Sequence, residues 1–224
     1  MEDLNEIKKV WYFNLLKNRN LEEKNWYFYE NEARKKGFKL ICGVDEAGRG
    51  PLAGPVFAAA VVLPSFFPKE LDGINDSKKL TAKKREEFYE KILKIAVSYS
   101  VEFVNEKIID KINILNATLL CMKTTIEKLN VEPSFVLIDG NKSPDVVVPC
   151  FTLIKGDSLS ASIASASILA KVSRDRYMID ISEKYPNYGF SKHKGYGTID
   201  HIRKIKEYGP CEIHRLSFLK KILG

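Results

Sequence analysis

Two adjacent carboxylates, Asp45 and Glu46, stand at the end of an apolar run and in front of a loop with three glycines. The whole stretch, residues 43–56, reads GVDEAGRGPLAGPV. Two more aspartates have similar positions, because Asp139 ends the apolar run FVLID and Asp157 follows CFTLIKG. A single Asp after a strand is often only a turn former or a helix cap. Three such positions, with Glu46 beside one of them, indicate a shared site.

A cluster of these four acids would favour a divalent cation. Carboxylates that converge without nearby positive charge raise one another's pKa, and a bound cation relieves that repulsion. Because the ligands would be hard oxygens without Cys or His, they favour Mg²⁺ or Mn²⁺ over zinc. Asp45 and Glu46 would face opposite sides of an ideal strand, so both reach one site only if the strand ends or bulges there.

The glycine loop, residues 48–54, reads GRGPLAG and has the spacing G-x-G-x-x-x-G. This is not the dinucleotide-binding fingerprint, and the loop lacks the GK[ST] ending of a phosphate-binding P-loop. The pattern favours a loop that a nucleic-acid backbone approaches closely over one that cradles a nucleotide. A serine nucleophile is excluded, because Ser167 and Lys171 do not have the S-x-x-K spacing and no G-x-S-x-G is present.

The elements that must position these residues alternate between strands and helices. Apolar runs predict strands at 39–45, 56–63, 95–104, 135–139 and 150–154. Helical patterns cover 81–94, 113–130, 158–184 and 198–208. Short links make the first three strands antiparallel, whereas helical crossovers make the last two parallel to the first. The carboxyl ends of the three parallel strands then share one edge of the sheet, where Asp45, Asp139 and Asp157 converge.

The composition indicates a folded protein with a basic C-terminal segment. The chain has 224 residues, 45% of them hydrophobic, and a net charge of +7. Residues 184–224 contain nine Lys or Arg against three acids, so this segment either contacts a polyanion or is a solvated charged face. The lack of a long apolar run and the charged start MEDLNEIKKV predict a cytoplasmic protein without membrane contact. Four dispersed cysteines predict reduced thiols rather than disulfides or a zinc site.

Seven motifs follow one another along the chain: DEAGRGPLAGPV from Asp45, NDSKKL from Asn75, LIDG from Leu137, KGD from Lys155, ASILAKVSRDR from Ala166, YGFSKHKGYGT from Tyr188 and GPCEIHRLSF from Gly209. In this order they resemble the motifs of bacterial type 2 ribonuclease H, ribonuclease HII. The resemblance covers residues 39–218 and leaves only the N-terminal extension outside.

The resemblance implies an α/β protein with a ribonuclease H-like fold, a five-stranded mixed sheet in the order 3-2-1-4-5 flanked by helices. It implies an endoribonuclease whose partners are RNA/DNA hybrids and DNA duplexes that contain ribonucleotides. Such an enzyme cuts on the 5′ side of a single embedded ribonucleotide and leaves 3′-hydroxyl and 5′-phosphate ends. It would use two ions, Mg²⁺ or Mn²⁺, and no protein nucleophile. We further expect a monomer.

The resemblance also assigns roles to individual residues. The family's catalytic and metal-binding acids match Asp45, Glu46, Asp139 and Asp157. Its GRG motif, which contacts the 2′-hydroxyl and phosphate at the RNA-to-DNA junction, matches Gly48, Arg49 and Gly50. Tyr196 matches the tyrosine that stacks on the deoxynucleotide after the junction. The candidates for phosphate contacts, for each of which the alternative is a solvated surface charge, are Lys78, Lys171, Arg174, Lys192 and Lys194.

Three parts of the chain are expected: a helical extension at 1–36, a ribonuclease H-like core at 37–185 and a basic C-terminal helical segment at 186–224. The related ribonuclease HIII is disfavoured, because GRG replaces its GTG-like sequence and about 36 residues leave no room for its N-terminal domain. A nucleic-acid-binding module without activity is disfavoured by the presence of all four acids. The final SFLKKILG contains no convincing motif for binding a sliding clamp.

Overall fold

A five-stranded mixed sheet forms the centre of the computed structural model, which describes residues 25–224. The strands are β1 (Ile41–Ala47), β2 (Val56–Val62), β3 (Ser98–Val104), β4 (Phe135–Asp139) and β5 (Cys150–Leu153). Their spatial order is β3-β2-β1-β4-β5. The pairs β1–β2 and β2–β3 are antiparallel, whereas β1–β4 and β4–β5 are parallel. The predicted fold class, strand order and strand directions are therefore confirmed.

Seven α-helices occur in the described part of the chain. They are α1 (Phe28–Lys35), α2 (Ala82–Ile95), α3 (Glu106–Glu127), α4 (Ala161–Lys184), α5 (Phe190–His193), α6 (Ile199–Tyr208) and α7 (Leu216–Leu223). Short 3₁₀ turns occur at Lys69–Leu71, Gly156–Ser158 and Pro186–Tyr188. Most of the predicted N-terminal extension, residues 1–24, lies outside the described residues. From residue 25 onwards, no helix combines the length and apolar character needed to cross a membrane.

Strand β2 is buried along its whole length because helices cover both faces of the sheet. On one face, Ala59 and Val61 pack in the same apolar cluster as Leu169 of α4. On the opposite face, Ala60 shares a cluster with Met122 of α3. A continuous apolar run such as VFAAAVV is typical of a strand that is covered on both sides.

Helix α4 lies very close to the sheet because its first half consists of small residues. A Cβ added to Gly43 of β1 would lie 2.1 Å from the carbonyl carbon of Ser162, so only glycine permits this approach. Ser160 caps the helix by accepting the Ile163 N–H at 3.2 Å. Glu30 of α1 accepts the Ser160 hydroxyl at 2.6 Å and the Ser162 N–H at 3.0 Å. The first described helix thus fixes the N-terminus of α4.

Helix α3 begins seven residues earlier than predicted, at Glu106 instead of Asn113. Asn105 is the true N-cap, since its side chain accepts the Ile108 N–H at 3.0 Å. Asn113 lies inside the helix with φ 65°, where it marks a kink and not a start. Smaller differences affect the starts of β1, β3 and α4, which are Ile41, Ser98 and Ala161.

The C-terminal segment packs against the end of α4. Met178 of α4 lies in one apolar cluster with Tyr188, Phe190 and Ile213. The segment also reaches the glycine loop, where Ala53 and His214 form an isolated β-bridge. The division of the chain at residues 36 and 185 stays a prediction.

Candidate active site

Three aspartates lie at the edge of the sheet where its parallel strands end. Asp45 is near the end of β1, Asp139 ends β4, and Asp157 lies in the 3₁₀ turn after β5. The charge of Asp139 acts on the carboxyl groups of Asp45, Glu46 and Asp157. The structure thus brings together the four acids that the sequence singled out.

Strand β1 neither ends nor bulges between Asp45 and Glu46, so that expectation is wrong. The strand continues through Ala47 with regular antiparallel pairing to β2. On its other side, however, the pairing of β1 with β4 stops where Val44 lies opposite Ile138. Because the end of β1 extends beyond its last pair with β4, Asp45 and Glu46 both line one cleft.

Burial and mutual repulsion raise the pKa of these carboxyl groups. For Asp45, burial is the main cause, followed by the charges of Glu46 and Asp139. Burial also raises the pKa of Glu46, although Arg49 acts in the opposite direction. Burial and the charge of Asp139 raise the pKa of Asp157 to about 6. Raised pKa values of this kind are typical of a cluster of carboxylates whose charges a bound cation would neutralise and so stabilise.

Several carboxylate oxygens have partners in the protein. Asp45 Oδ1 accepts the Glu46 N–H at 2.7 Å, and Asp139 Oδ1 accepts the Gly156 N–H at 2.6 Å. Glu46 Oε1 lies 3.3 Å from Nη1 of Arg49. Within residues 25–224, no three His, Cys, Asp or Glu side chains are arranged as a preformed metal site. The donor set nevertheless fits a hard divalent cation, because it consists of carboxylate oxygens alone.

Three further polar residues influence the acids, and the sequence analysis considered only one of them, Ser167, and only as a nucleophile. Ser167 forms a side-chain hydrogen bond with Asp45, and its Oγ lies 3.0 Å from Oγ of Ser77. Both serines are buried. The carboxyl group of Asp76 also helps to raise the pKa of Asp157. The available signal was the motif NDSKKL, which contains both Asp76 and Ser77.

A cleft of about 430 Å³ connects the acids with the glycine loop. Its lining includes Asp45, Glu46, Gly48, Arg49, Gly50, Lys78, Asp139, Lys171 and Tyr196. A Cβ added to Gly50 would lie 3.9 Å from Cε1 of Tyr196, so the tyrosine ring stands beside the loop. The other predicted site residues, Asp157, Arg174, Lys192 and Lys194, lie outside this lining.

Two lysines of the lining face different acids. Burial lowers the pKa of Lys78, but the charges of Asp157 and Asp45 outweigh this effect and raise it. Lys78 therefore supplies positive charge next to the acid cluster. Lys171 forms an ion pair with Asp175 at 2.7 Å on the surface of α4. Their role as phosphate contacts stays a prediction.

Arg174 does not fit its predicted phosphate contact. It is 1% exposed. Its guanidinium group donates to the carbonyl oxygens of Pro55 at 3.0 Å, Lys194 at 3.0 Å and Ala53 at 3.2 Å. Because these donors serve the protein interior, we correct its role from phosphate contact to support of the surrounding loops. Lys192 is exposed and Lys194 is partly buried nearby.

A sheet of this order with an acid cluster at its carboxyl edge defines a ribonuclease H-like, metal-dependent nuclease. The family model Ribonuclease HII matches residues 42–221. Ribonuclease HII of Caldicellulosiruptor bescii is 58% identical over 91% of this chain and 98% of that protein. Ribonuclease HII of Acetivibrio thermocellus is 50% identical over 97% of this chain and 83% of that protein. The chain belongs to the ribonuclease HII family, whose ribonuclease H activity acts on RNA/DNA hybrids.

Solved structures have the same fold. Ribonuclease H2 of Pyrococcus horikoshii gives a TM-score of 0.67 at 27% identity, over 82% of this chain and 97% of that one. The RNase HII of a PCNA:RNase HII complex from Archaeoglobus fulgidus gives a TM-score of 0.66 at 28% identity, over 80% of this chain and 94% of that one. Bst-RNase HIII in complex with Mn²⁺ gives a TM-score of 0.61 at 20% identity, over 85% of this chain and 71% of that one. This likeness supports the fold alone.

Proposed function

We propose that this enzyme cuts on the 5′ side of single ribonucleotides embedded in duplex DNA, in addition to cutting the RNA strand of RNA/DNA hybrids. The products would carry 3′-hydroxyl and 5′-phosphate ends. One observation supports this proposal above all: residues 48–50 and Tyr196 line the same cleft as Asp45, Glu46 and Asp139. An enzyme that selects one ribonucleotide needs groups that recognise its sugar beside the groups that cut.

The glycine loop suits the recognition of a single 2′-hydroxyl group. This hydroxyl is what distinguishes RNA from DNA at a given sugar. Gly50 is exposed in the cleft, and Gly48 has φ +94°, which side chains other than glycine rarely adopt. The backbone can therefore approach a sugar without an intervening side chain. Arg49, between the two glycines, is exposed and can contact the neighbouring phosphate.

Tyr196 offers an exposed aromatic ring on the other side of the cleft. Stacking on a base or sugar is tolerant of sequence, because every base has an aromatic face. This suits an enzyme that must act on a ribonucleotide in any sequence. The residues that we propose for phosphate contacts along the strand are Lys78, Lys171, Lys192 and Lys194.

The four acids, Asp45, Glu46, Asp139 and Asp157, would hold two divalent cations, Mg²⁺ or Mn²⁺. Bound ions of this kind activate a water molecule and stabilise the departing 3′-oxygen in phosphoryl transfer. The protein's own contribution is to hold the ligands in place. Ser167 supports Asp45, and the Gly156 N–H supports Asp139. Lys78 adds a positive charge that attracts the substrate to these acids.

Cleavage of a DNA duplex with one ribonucleotide tests the proposal. Asp45→Asn and Asp139→Asn should each lower kcat/KM by about 100-fold or more, because each removes a ligand charge. Both should also weaken Mn²⁺ binding in calorimetry. Asp145→Asn, a change at an exposed aspartate outside the cleft lining, should keep wild-type activity. Acid variants whose rates stay within about tenfold of wild type would rule out the metal site.

A second comparison tests the substrate. Wild-type enzyme should cut the single-ribonucleotide duplex at a rate comparable to that on a long RNA/DNA hybrid of the same sequence. Efficient cleavage of the hybrid together with poor cleavage of the single ribonucleotide would indicate the substrate preference of ribonuclease HIII instead. This outcome would leave the acid cluster intact and overturn only the proposed recognition of one ribonucleotide.

A further inference from the structure

Two arginine side chains are enclosed beneath the glycine loop. Arg174 of α4 is 1% exposed, and Arg215, which immediately precedes α7, is 0% exposed. All six hydrogen bonds that their guanidinium groups donate go to backbone carbonyl oxygens. Burial of such a group is costly, and apolar side chains could often fill the same space with equal stability. The arrangement therefore points to a role beyond core packing.

Arg215 fixes the start and the end of the glycine loop. Its Nη2 donates to the Gly48 carbonyl at 2.6 Å and its Nη1 to the Arg49 carbonyl at 2.9 Å. Its Nε donates to the Gly54 carbonyl at 2.8 Å. The guanidinium group is planar and rigid, so the three peptide groups are held at fixed relative orientations.

The direction of these carbonyl groups determines where the neighbouring N–H groups point. A trans peptide places its N–H opposite its C=O, and none of the described peptide bonds is cis. Because the carbonyls of Gly48 and Arg49 face Arg215, the N–H groups of Arg49 and Gly50 point away from it, and both residues line the cleft. In residues 25–224 neither N–H has a hydrogen-bond acceptor. Two adjacent donors are thus available to a bound oxygen atom.

Arg174 joins the glycine loop to the Tyr196 loop, residues 193–197. Its Nη2 donates to the Ala53 carbonyl in the glycine loop, and its Nε donates to the Pro55 carbonyl just after that loop. Its Nη1 donates to the Lys194 carbonyl at 3.0 Å. Beside it, the Leu52 N–H donates to the Gly195 carbonyl at 2.8 Å. The two loops are therefore held as one unit across the cleft.

We propose that Arg215 is a positioning residue for ribonucleotide recognition, which aims the N–H groups of Arg49 and Gly50 at the 2′-hydroxyl and adjacent phosphate of the substrate. Arg174 keeps the Tyr196 loop in register with this pair of donors. The proposal rests on the proposed function of the glycine loop. Arg215 acts only through the loop carbonyls and touches neither the substrate nor the acids.

A duplex with a run of four ribonucleotides followed by DNA provides the test. Wild-type enzyme should cut mainly at the last ribonucleotide, next to the DNA junction, because the N–H pair and Tyr196 select that sugar. Arg215→Lys keeps the positive charge but has a single nitrogen, so it cannot orient three carbonyls at once. The ratio of junction cuts to cuts at the other ribonucleotides should fall by about tenfold. This ratio does not depend on the concentration of active enzyme.

The matched control is Arg203→Lys, the same change at an exposed arginine of α6. It should keep the wild-type cutting pattern. If Arg215→Lys is folded by circular dichroism and keeps the wild-type ratio within about twofold, Arg215 has only a structural role and the proposal fails. If wild-type enzyme itself shows no preference for the junction, the proposed function of the glycine loop fails instead. The two failures are therefore distinguishable.

A second variant keeps the test decisive if the lysine variant does not fold. Arg215→Gln removes the buried charge, which lowers the cost of desolvation, and keeps an amide donor for one carbonyl. It should show the same loss of junction preference, together with wild-type Mn²⁺ stoichiometry in calorimetry, because the acids are untouched. Retention of the junction preference in folded Arg215→Gln would contradict the proposal equally.

Discussion

The three histidines of the chain lie together, with His193 at the start of the Tyr196 loop and His201 in ring contact with both His193 and His214. His201 Nδ1 lies 2.8 Å from the Tyr196 carbonyl, so this nitrogen carries a proton and donates it. His214 Nδ1 accepts the Cys211 N–H at 2.9 Å, and its Nε2 therefore donates to His201 Nε2 at 3.1 Å. The network assigns one proton to each of the two rings. Neutral histidines thus help to hold the loop that carries Tyr196.

Acid should weaken this arrangement. Burial lowers the pKa of His201 and of His214 to about 4, from an ordinary value of 6.5. The unfolded chain then binds more protons between pH 6.5 and 4, so stability is lost as the pH falls through that window. For one such ring, the loss between pH 7 and pH 5 is about 2 kcal/mol.

Urea unfolding of wild type and His214→Gln at pH 7 and pH 5 measures this loss. The acid cluster titrates in both proteins, so its contribution cancels in the difference between them. The wild type should lose about 2 kcal/mol more than the variant between the two pH values. Parallel pH dependence of the two proteins would show that His214 is not buried in its neutral form.

At the scale of elements, the sequence determined the sheet better than the helix ends. Strand order and direction could be predicted because connection length restricts them: short links give antiparallel neighbours and helical crossovers give parallel ones. The start of α3 could not be predicted, because Asn105 and Asn113 both have the side chain of a good N-cap. Both do accept a backbone N–H three residues ahead, from Ile108 and Asn116. Tertiary packing decides which cap begins the helix.

The same distinction applies to the site. The convergence of Asp45, Asp139 and Asp157 could be predicted, because each follows a parallel strand and the ends of those strands share an edge. The roles of Arg174 and Arg215 could not be predicted. Both lie among many Lys and Arg residues, and only the three-dimensional packing separates a buried arginine that holds carbonyl groups from one that is solvated. Sequence periodicity carries no such information.

Glu30 provides a test of how helices α1 and α4 depend on each other. Glu30→Ala should lower the free energy of unfolding by about 2 kcal/mol, because it leaves the Ser160 hydroxyl and the Ser162 N–H without their buried acceptor. Glu32→Ala on the same helix removes only a surface ion pair with Lys35. This change should alter the free energy of unfolding by less than about 0.5 kcal/mol. Urea unfolding measures both values. Equal effects of the two changes would mean that the cap contributes nothing specific.

At the scale of the whole molecule, the basic C-terminal segment has two kinds of charge. Its buried Arg215 organises the glycine loop, and the segment is tied to that loop by the Gly54 N–H, which donates to the Ile213 carbonyl at 2.8 Å. Its exposed charges, such as Lys192, face solvent. Of the net charge of +7, residues 184–224 contribute +6. Most of the excess positive charge of the chain therefore belongs to this segment.

Binding to nucleic acid should consequently depend on salt, and a single lysine should change that dependence. On an all-DNA duplex without divalent cation, log affinity falls as log salt rises. Each lost phosphate contact reduces the steepness of this fall by about 0.9. Lys192→Ala should show this decrease between about 50 and 200 mM NaCl, measured by fluorescence anisotropy. Lys123→Ala on α3, where the lysine pairs with Glu127 at 3.9 Å, should keep the wild-type slope. If Lys192→Ala keeps that slope as well, Lys192 is a solvated charge and the duplex lies elsewhere on the basic segment.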